Sequence, residues 1–277
     1  MNVLTIMHSA ISPKFRCRDA HRKFRVGKRQ LVIGFVAVLY SLSGFPSVWA
    51  NQDDGPRELP KPKIKTTEPL FKDWNFDKEP TGSPPGGFVS GSANGVKDGQ
   101  WVVADEPSAP SQARAVLQHS DCADASCYQV LLDDNTEVTY VDVSVQMKPM
   151  AGQSSGKAGV VLAAKDHKNF YAAVITPEAN TVEALLVRDG KATVFGQQPI
   201  TLEEGGWASL RVQRSPMMSH DLFNVFVNQR MLLSLSDSTL KEGKVGLITW
   251  GRGAFAFDNF RAQEALTNLP ISRPPAY

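Results

Sequence analysis

The stretch that decides the fold lies near the end of the sequence, VGLITWGRGAFAFDNFRAQ at residues 245–263. It begins as an apolar run, turns at the glycines beside Arg252, and continues as a second apolar run that reaches 258–260. Short apolar runs bounded by glycine and rich in β-branched and aromatic residues are typical of buried strands. The stretch predicts two strands and a turn. It leaves open whether Trp250 and Arg252, beside that turn, close the fold, bind a sugar, or do both.

The same pattern extends through the preceding residues. Residues 137–148 (EVTYVDVSVQMK) alternate with a period of two, which predicts a half-buried strand. One of its faces carries Val141, Val143, Val145 and Met147, and the other carries Tyr140, Asp142, Ser144 and Gln146. Asp-Gly at 189–190 separates two further β-rich runs, which predicts a hairpin. The other predicted strands are 101–104, 114–118, 128–132, 158–164, 170–176, 182–187, 192–195, 207–213, 222–227, 231–235, 245–249 and 254–261. Strands at such short spacing, without a long amphipathic helix, predict an all-β sandwich.

Six segments carry a family resemblance through their order. They are Gly87-Phe88, GQWVV at 99–103, AGVVLAAKDHKNFYAAVI at 158–175, VRDGKATVF at 187–195, WASLRVQ at 207–213 and GKVGLITWGRGAFAFDNFRA at 243–262. In this order they resemble the concanavalin A-like lectin/glucanase jelly roll. More narrowly, they resemble the bacterial domains grouped with 3-keto-disaccharide hydrolases and with laminin-G-like modules.

The resemblance implies a jelly-roll β-sandwich and a role for the closing motif. In such a fold the chain turns at 251–253, and Phe255, Phe257 and Phe260 return towards the core. Asp258 and Asn259 would then end the strand and satisfy neighbouring backbone groups.

The first fifty residues have the features of an export signal. Residues 14–29 are strongly basic, 31–45 are apolar, and Val48 and Ala50 are the small residues at the −3 and −1 positions of a cleavage site after Ala50. The apolar run is too short and too interrupted for a membrane span, which needs roughly 20 apolar residues. We therefore expect cleavage near Ala50 and a periplasmic or extracellular protein. An uncleaved anchor and a true start at Met7 or further downstream are the alternatives.

The composition predicts how the chain is divided into segments, and its net charge argues against some classes of binding partner. We predict a signal peptide at 1–50, a Pro-rich linker at 51–69, a β-sandwich domain at 70–265 and a flexible tail at 266–277. The whole chain carries a net charge of +2, but without the leader it has 22 basic and 27 acidic residues, a net charge of −5. A mildly acidic protein has no net electrostatic attraction for nucleic acid or anionic lipid.

Two cysteines remain after the predicted cleavage, Cys122 and Cys127, in the polar segment SDCADASC. In an oxidising compartment two thiols at this spacing predict a local disulfide. A metal site is the alternative, although no histidine lies at the usual ligand spacing.

The sequence lacks the motifs of several enzyme classes. The superfamily's glucanases place two carboxylates on one strand as Glu-x-Asp-x-x-Glu, and no such pattern occurs here. There is also no nucleophile elbow, no zinc pair and no phosphate-cradling glycine loop, so we expect no cofactor. A calcium site at Asp166, Asn169 and Asp189 is an open alternative, but no compact loop supplies the six to eight oxygens usually needed.

Carbohydrate binding is the leading functional hypothesis. Sugars are recognised by aromatic faces and a few planar polar side chains. The candidate ligand-binding residues are Trp250, Arg252, Tyr140, Asp142, Gln146, Tyr171 and Arg211. Trp101 and Trp207 stand at strand starts, where we expect them to close the core.

Two other functions stay open. One is an enzyme acting on 3-keto-glycosides, suggested by the narrower resemblance, with Asp142, His167 or Asp258 as the base. The other is a module that docks onto another protein of the cell envelope.

Overall fold

The computed structural model describes residues 70–92, 100–120, 127–150 and 155–265, and the elements in these ranges are all strands. They are β1 (Phe71–Trp74), β2 (Phe88–Ser92), β3 (Gln100–Asp105), β4 (Arg114–Ser120), β5 (Tyr128–Asp133), β6 (Val141–Pro149), β7 (Lys157–Asp166), β8 (Asn169–Thr176), β9 (Thr181–Arg188), β10 (Lys191–Pro199), β11 (Ala208–Met217), β12 (His220–Val227), β13 (Arg230–Asp237), β14 (Lys244–Trp250) and β15 (Gly253–Glu264).

The strands form two antiparallel sheets. Sheet A has the order β13-β12-β11-β6-β15-β4-β3, and β1 pairs with the second half of β15. Sheet B has the order β10-β9-β8-β7-β14-β5-β2. The closing stretch supplies a middle strand to each sheet, and the turn at Gly251 and Arg252 carries the chain from one sheet to the other. The predicted all-β jelly-roll sandwich is confirmed.

The core lies between the sheets. Val141, Val143, Val145 and Met147 are at most 1% exposed, as the alternation of β6 predicts. Phe255, Phe257 and Phe260 are equally buried in the same cluster. Sheet B is also apolar on its outer face, where a second cluster includes Tyr128, Val161, Phe170, Val187 and Ile248.

The closing strand differs from its prediction at Asp258 and Asn259. β15 does not end there but continues to Glu264 beyond a bulge, at which Asn259 has a φ of +49°. Asn tolerates this left-handed conformation better than most residues. The predicted role of Asp258 holds, because its carboxylate accepts hydrogen bonds from the backbone N–H of Ser111 and of Asn259.

Several boundaries were not predicted. β1 and β2 have no counterpart among the predicted strands, and β6 begins at Val141 rather than at 137. The predicted signal peptide, linker and tail lie outside the described residues. The described residues all belong to one compact unit of the chain. No helix in the described ranges has the length and apolar character needed to cross a bilayer.

Candidate functional site

Three of the predicted ligand-binding residues lie together on the outer face of sheet A. β6 pairs with β11 so that Gln213 stands opposite Asp142, Arg211 opposite Ser144, and Ser209 opposite Gln146. The side chains that alternate with the buried valines of β6 therefore form one surface with those of β11. We call this surface the polar face and define it by Asp142, Gln146, Arg211, Gln213 and Asn259.

Asp142 is the centre of the polar face. Its Oδ1 accepts a hydrogen bond from Arg211 Nε at 2.8 Å, and its Oδ2 accepts one from Arg211 Nη2. Gln213 Nε2 donates to Oδ2 at 2.8 Å. The Asp142 side chain is 8% exposed and that of Arg211 42%, so the guanidinium covers the carboxylate and faces solvent. The hydrogen bonds that Arg211 donates to Asp142 raise the pKa of Arg211, against the opposing effect of burial.

The arrangement leaves hydrogen-bonding capacity unused. Arg211 Nη1 and Gln213 Oε1 have no partner among the described residues. The Arg211 guanidinium also lies 5.2 Å from the ring centroid of Phe226, its cross-strand neighbour on β12, which is close enough for a cation–π contact.

The bulge of β15 brings Asn259 to the same face. Its Nδ2 donates to Gln146 Oε1 at 2.7 Å, which leaves Gln146 Nε2 and Asn259 Oδ1 without a described partner. We did not predict Asn259 as a site residue. Asparagine beside a strand bend is the signal that suggests it, because a bulge re-aims a side chain.

Trp207 lies at the end of the polar face, not in the core as predicted. It precedes β11, and its Nε1 donates to Ser108 Oγ at 3.1 Å. Lys148 Nζ stands 5.4 Å from the indole centroid and also donates to Glu106 at 3.0 Å. The Ser108 hydrogen bond and Lys148 lower the pKa of Glu106, outweighing burial. Trp101, by contrast, is 2% exposed and does close the core.

The remaining predicted ligand residues are not brought to this face. Tyr171 is 1% exposed and lies between the sheets, where its hydroxyl donates to Asp237, while Phe170 faces outward. Trp250 packs on the outer side of sheet B, 4.6 Å from the Tyr128 ring centroid. Arg252 is exposed in the turn between the sheets, and Tyr140 is half-buried just before β6.

The three candidate bases do not form a common site. Asp142 is engaged by Arg211 and Gln213. Asp258 is fully buried and accepts from the backbone N–H and the hydroxyl of Ser111. Burial raises its pKa, and these hydrogen bonds oppose the shift. His167 is exposed in the turn after β7.

The predicted calcium alternative does not fit the observed contacts. Asn169 Nδ2 donates to both carboxylate oxygens of Asp166, and Asn169 Oδ1 accepts the backbone N–H of Asp189. The three residues therefore connect the turn between β7 and β8 to the turn between β9 and β10 by hydrogen bonds. Among the residues described, no group of three or more His, Cys, Asp or Glu is placed to hold a metal ion.

The sequence matches no protein-family model and no curated protein. Among solved structures, the chain is similar to the carbohydrate-binding module CBM66 from Bacillus subtilis, with a TM-score of 0.52 and 18% identity over 64% of this chain and 96% of that one. The chain has the concanavalin A-like jelly-roll fold.

Two more distant matches have lower scores. A beta-1,3-glucanase from Mycobacterium marinum aligns with a TM-score of 0.46 and 10% identity, over 72% of this chain and all of that one. Lectin UEA-II, solved in complex with galactose, aligns with a TM-score of 0.45 and 9% identity, over 71% and 99%. At identities this low, structural likeness shows the fold, and the function has to be argued from the site.

Proposed function

We propose that this protein is a carbohydrate-binding β-sandwich that holds a glycan on the polar face of sheet A. The observation that carries the proposal is the position of Asp142, which orients the planar groups of Arg211 and Gln213 side by side. Each of those two groups keeps a donor or an acceptor directed away from Asp142.

Planar, preoriented polar groups suit a sugar. Neighbouring hydroxyls of a pyranose or furanose ring both donate and accept, so they bind an array that offers donors and acceptors at fixed positions. Arg211 Nη1 and Gln146 Nε2 donate, whereas Gln213 Oε1 and Asn259 Oδ1 accept. Because Asp142 already holds Arg211 in place, a glycan loses less side-chain entropy on binding.

Apolar surface is present at two points around this array. Phe226 lies opposite Arg211 on β12, and Trp207 stands just before β11, where its ring contacts Lys148 and its Nε1 donates to Ser108. Aromatic surfaces of this kind accept the C–H face of a sugar ring. The similar Bacillus subtilis structure is described as a carbohydrate-binding module, which supports the same choice of ligand class.

Export belongs to the same proposal. We infer that the leader at 1–50 directs the chain out of the cytoplasm, so that it meets glycans of the envelope or beyond it. Mass spectrometry of the protein isolated from its own cells tests this, since cleavage near Ala50 gives a new N-terminus and an intact leader contradicts export by cleavage.

The binding test uses the purified protein on a glycan array, followed by calorimetry with each glycan that is retained. Arg211→Ala and Gln213→Ala each remove groups that we expect to contact the glycan, and each should weaken binding by about tenfold. Arg188→Ala is the matched control, because Arg188 is exposed at the end of β9 in sheet B. Equal binding by all three variants would exclude the polar face, and no retained glycan would overturn the function.

A further inference from the structure

The sandwich is open between its sheets at one end. A cleft of about 550 Å³ lies where β6 ends, where β8 turns into β9, and beside the loop before β11. Its floor includes Met147, Ile175 and Ala208, which belong to the hydrophobic core. We call this space the end cleft. Its volume is within the range of small-ligand sites.

The rim of the end cleft carries charge of one sign. Glu178 projects from the turn after β8, and Glu203 and Glu204 project from the loop before β11, all three exposed. Among the residues that the structure describes, no Lys, Arg or His lines the cleft. The nearby Lys148, on β6, is engaged by Glu106 and Ser108 instead. The mouth of the cleft is therefore negative above an apolar floor.

The carboxylates are spread around the mouth. Glu178 lies in one loop and Glu203 and Glu204 lie in another, and the described residues include no group of three or more His, Cys, Asp or Glu placed to hold a metal ion. A compact divalent cation needs six or more oxygens at close range. A ligand whose charges are separated by an apolar stem suits spread carboxylates above a floor of core side chains.

We propose that the end cleft binds a linear aliphatic amine, with its methylene chain along the floor and its protonated amino groups at the glutamates. The proposal goes beyond glycan binding, since it concerns a different surface and none of its residues belongs to the polar face. Failure of one proposal leaves the other standing.

The test is calorimetry of the full chain at low ionic strength with octanediamine as the probe. Octanediol has the same stem without charge, and calcium chloride supplies divalent charge without a stem. We expect binding of the diamine that weakens as salt is added, and weak or no binding of the other two. Equal binding of the diol, stronger binding of calcium, or no binding of the diamine overturns the proposal.

Variants locate the interaction. Each exposed ammonium–carboxylate pair changes affinity by about 1.5- to 5-fold, so E203Q combined with E204Q should weaken diamine binding by about 2- to 25-fold. E242Q is the matched control, because Glu242 is exposed in the loop between β13 and β14. Arg211→Ala should leave diamine binding unchanged. A double variant that binds the diamine as tightly as E242Q contradicts the proposed site.

Discussion

Arg214, which is completely buried, donates from both Nε and Nη2 to Oδ2 of Asp221 on the neighbouring strand. Nη2 also donates to the carbonyl of Leu240, and the guanidinium lies 5.5 Å from the ring centroids of Tyr171 and of Phe223. A charge is therefore held inside the sandwich by one carboxylate, one carbonyl and two aromatic faces. This contact joins β11 and β12 to the segment that leads into β14.

Asp221→Ala should destabilise the fold strongly. It leaves the buried Arg214 guanidinium without its hydrogen-bonded carboxylate, which costs about 3–5 kcal/mol of unfolding free energy. Urea unfolding measures the change. Asp134→Ala is the control, because Asp134 is 55% exposed in its ion pair with Lys244 and its loss should cost less than about 1 kcal/mol. Similar losses in both variants would contradict the assigned role of Asp221.

Stability should fall at alkaline pH through Tyr171. Burial, with the hydrogen bond to Asp237, raises the pKa of Tyr171 to about 12 from an ordinary value of 10.0. The folded protein holds the Tyr171 proton more tightly than the unfolded chain does. This difference stabilises the fold fully below about pH 10, and the stabilisation is lost as the pH rises through about 12. Tyr171→Phe should therefore flatten the fall of unfolding free energy across that window.

Urea titrations at a series of pH values measure this effect. Burial also raises the pKa of Tyr128 to about 12, so part of the alkaline fall should persist in Tyr171→Phe and disappear when Tyr128→Phe is added. If Tyr171→Phe alone loses unfolding free energy with pH as steeply as the unmodified protein, Tyr171 does not titrate as proposed.

Gly159→Ala should prevent stable folding, whereas Gly205→Ala should be tolerated. A Cβ at Gly159 would lie 1.9 Å from the carbonyl oxygen of Ala173 on β8, so β7 and β8 would have to separate. Gly205 has open space, and only its positive φ opposes a side chain, at about 1 kcal/mol. Thermal unfolding measures both variants, and we expect a much lower melting temperature for Gly159→Ala than for Gly205→Ala. Equal melting temperatures would contradict the close approach of β7 and β8.

The disulfide stays a prediction, because Cys122 lies outside the described residues. Cys127 precedes β5 and is 2% exposed. A closed loop this short stabilises the fold by at most about 2 kcal/mol, so Cys122→Ser should lower the unfolding free energy by no more than that. Peptide mapping without reductant checks the bond, and a spectrum that contains only separate Cys122 and Cys127 peptides would exclude it.

The alternation of polar and apolar residues predicted the all-β sandwich and three of the five residues of the polar face, and the reason is physical. β6 is buried on one face only, so alternation reveals both its core side and its polar side, including Asp142 and Gln146. β8 in sheet B is buried on both faces, so alternation does not tell whether Phe170 or Tyr171 points inward. That choice depends on Asp237, which lies 66 residues further along the chain.

Contacts between residues far apart in the sequence explain the other differences between the predictions and the structure. β1 is a strand of four residues, FKDW, two of them charged, and it is a strand because β15 pairs with it. Trp207 has the local pattern of a residue that closes a core, but Ser108 and Lys148 hold its ring at the surface. No local pattern reports a partner about a hundred residues away.

The positions of β14 and β15 also set the time at which this protein can fold. Before residues 244–264 leave the ribosome, sheet A consists of two unconnected pieces, β13-β12-β11-β6 and β4-β3, and sheet B is divided in the same way. Even the ion pair between Arg261 and Asp73 joins residues 188 positions apart. Chains dominated by such distant contacts fold slowly and expose apolar strands meanwhile. The two sheets are therefore completed only once β14 and β15 have been made, and until then a chaperone that holds the unfinished chain meets β6, β4, β7 and β5 with unpaired edges.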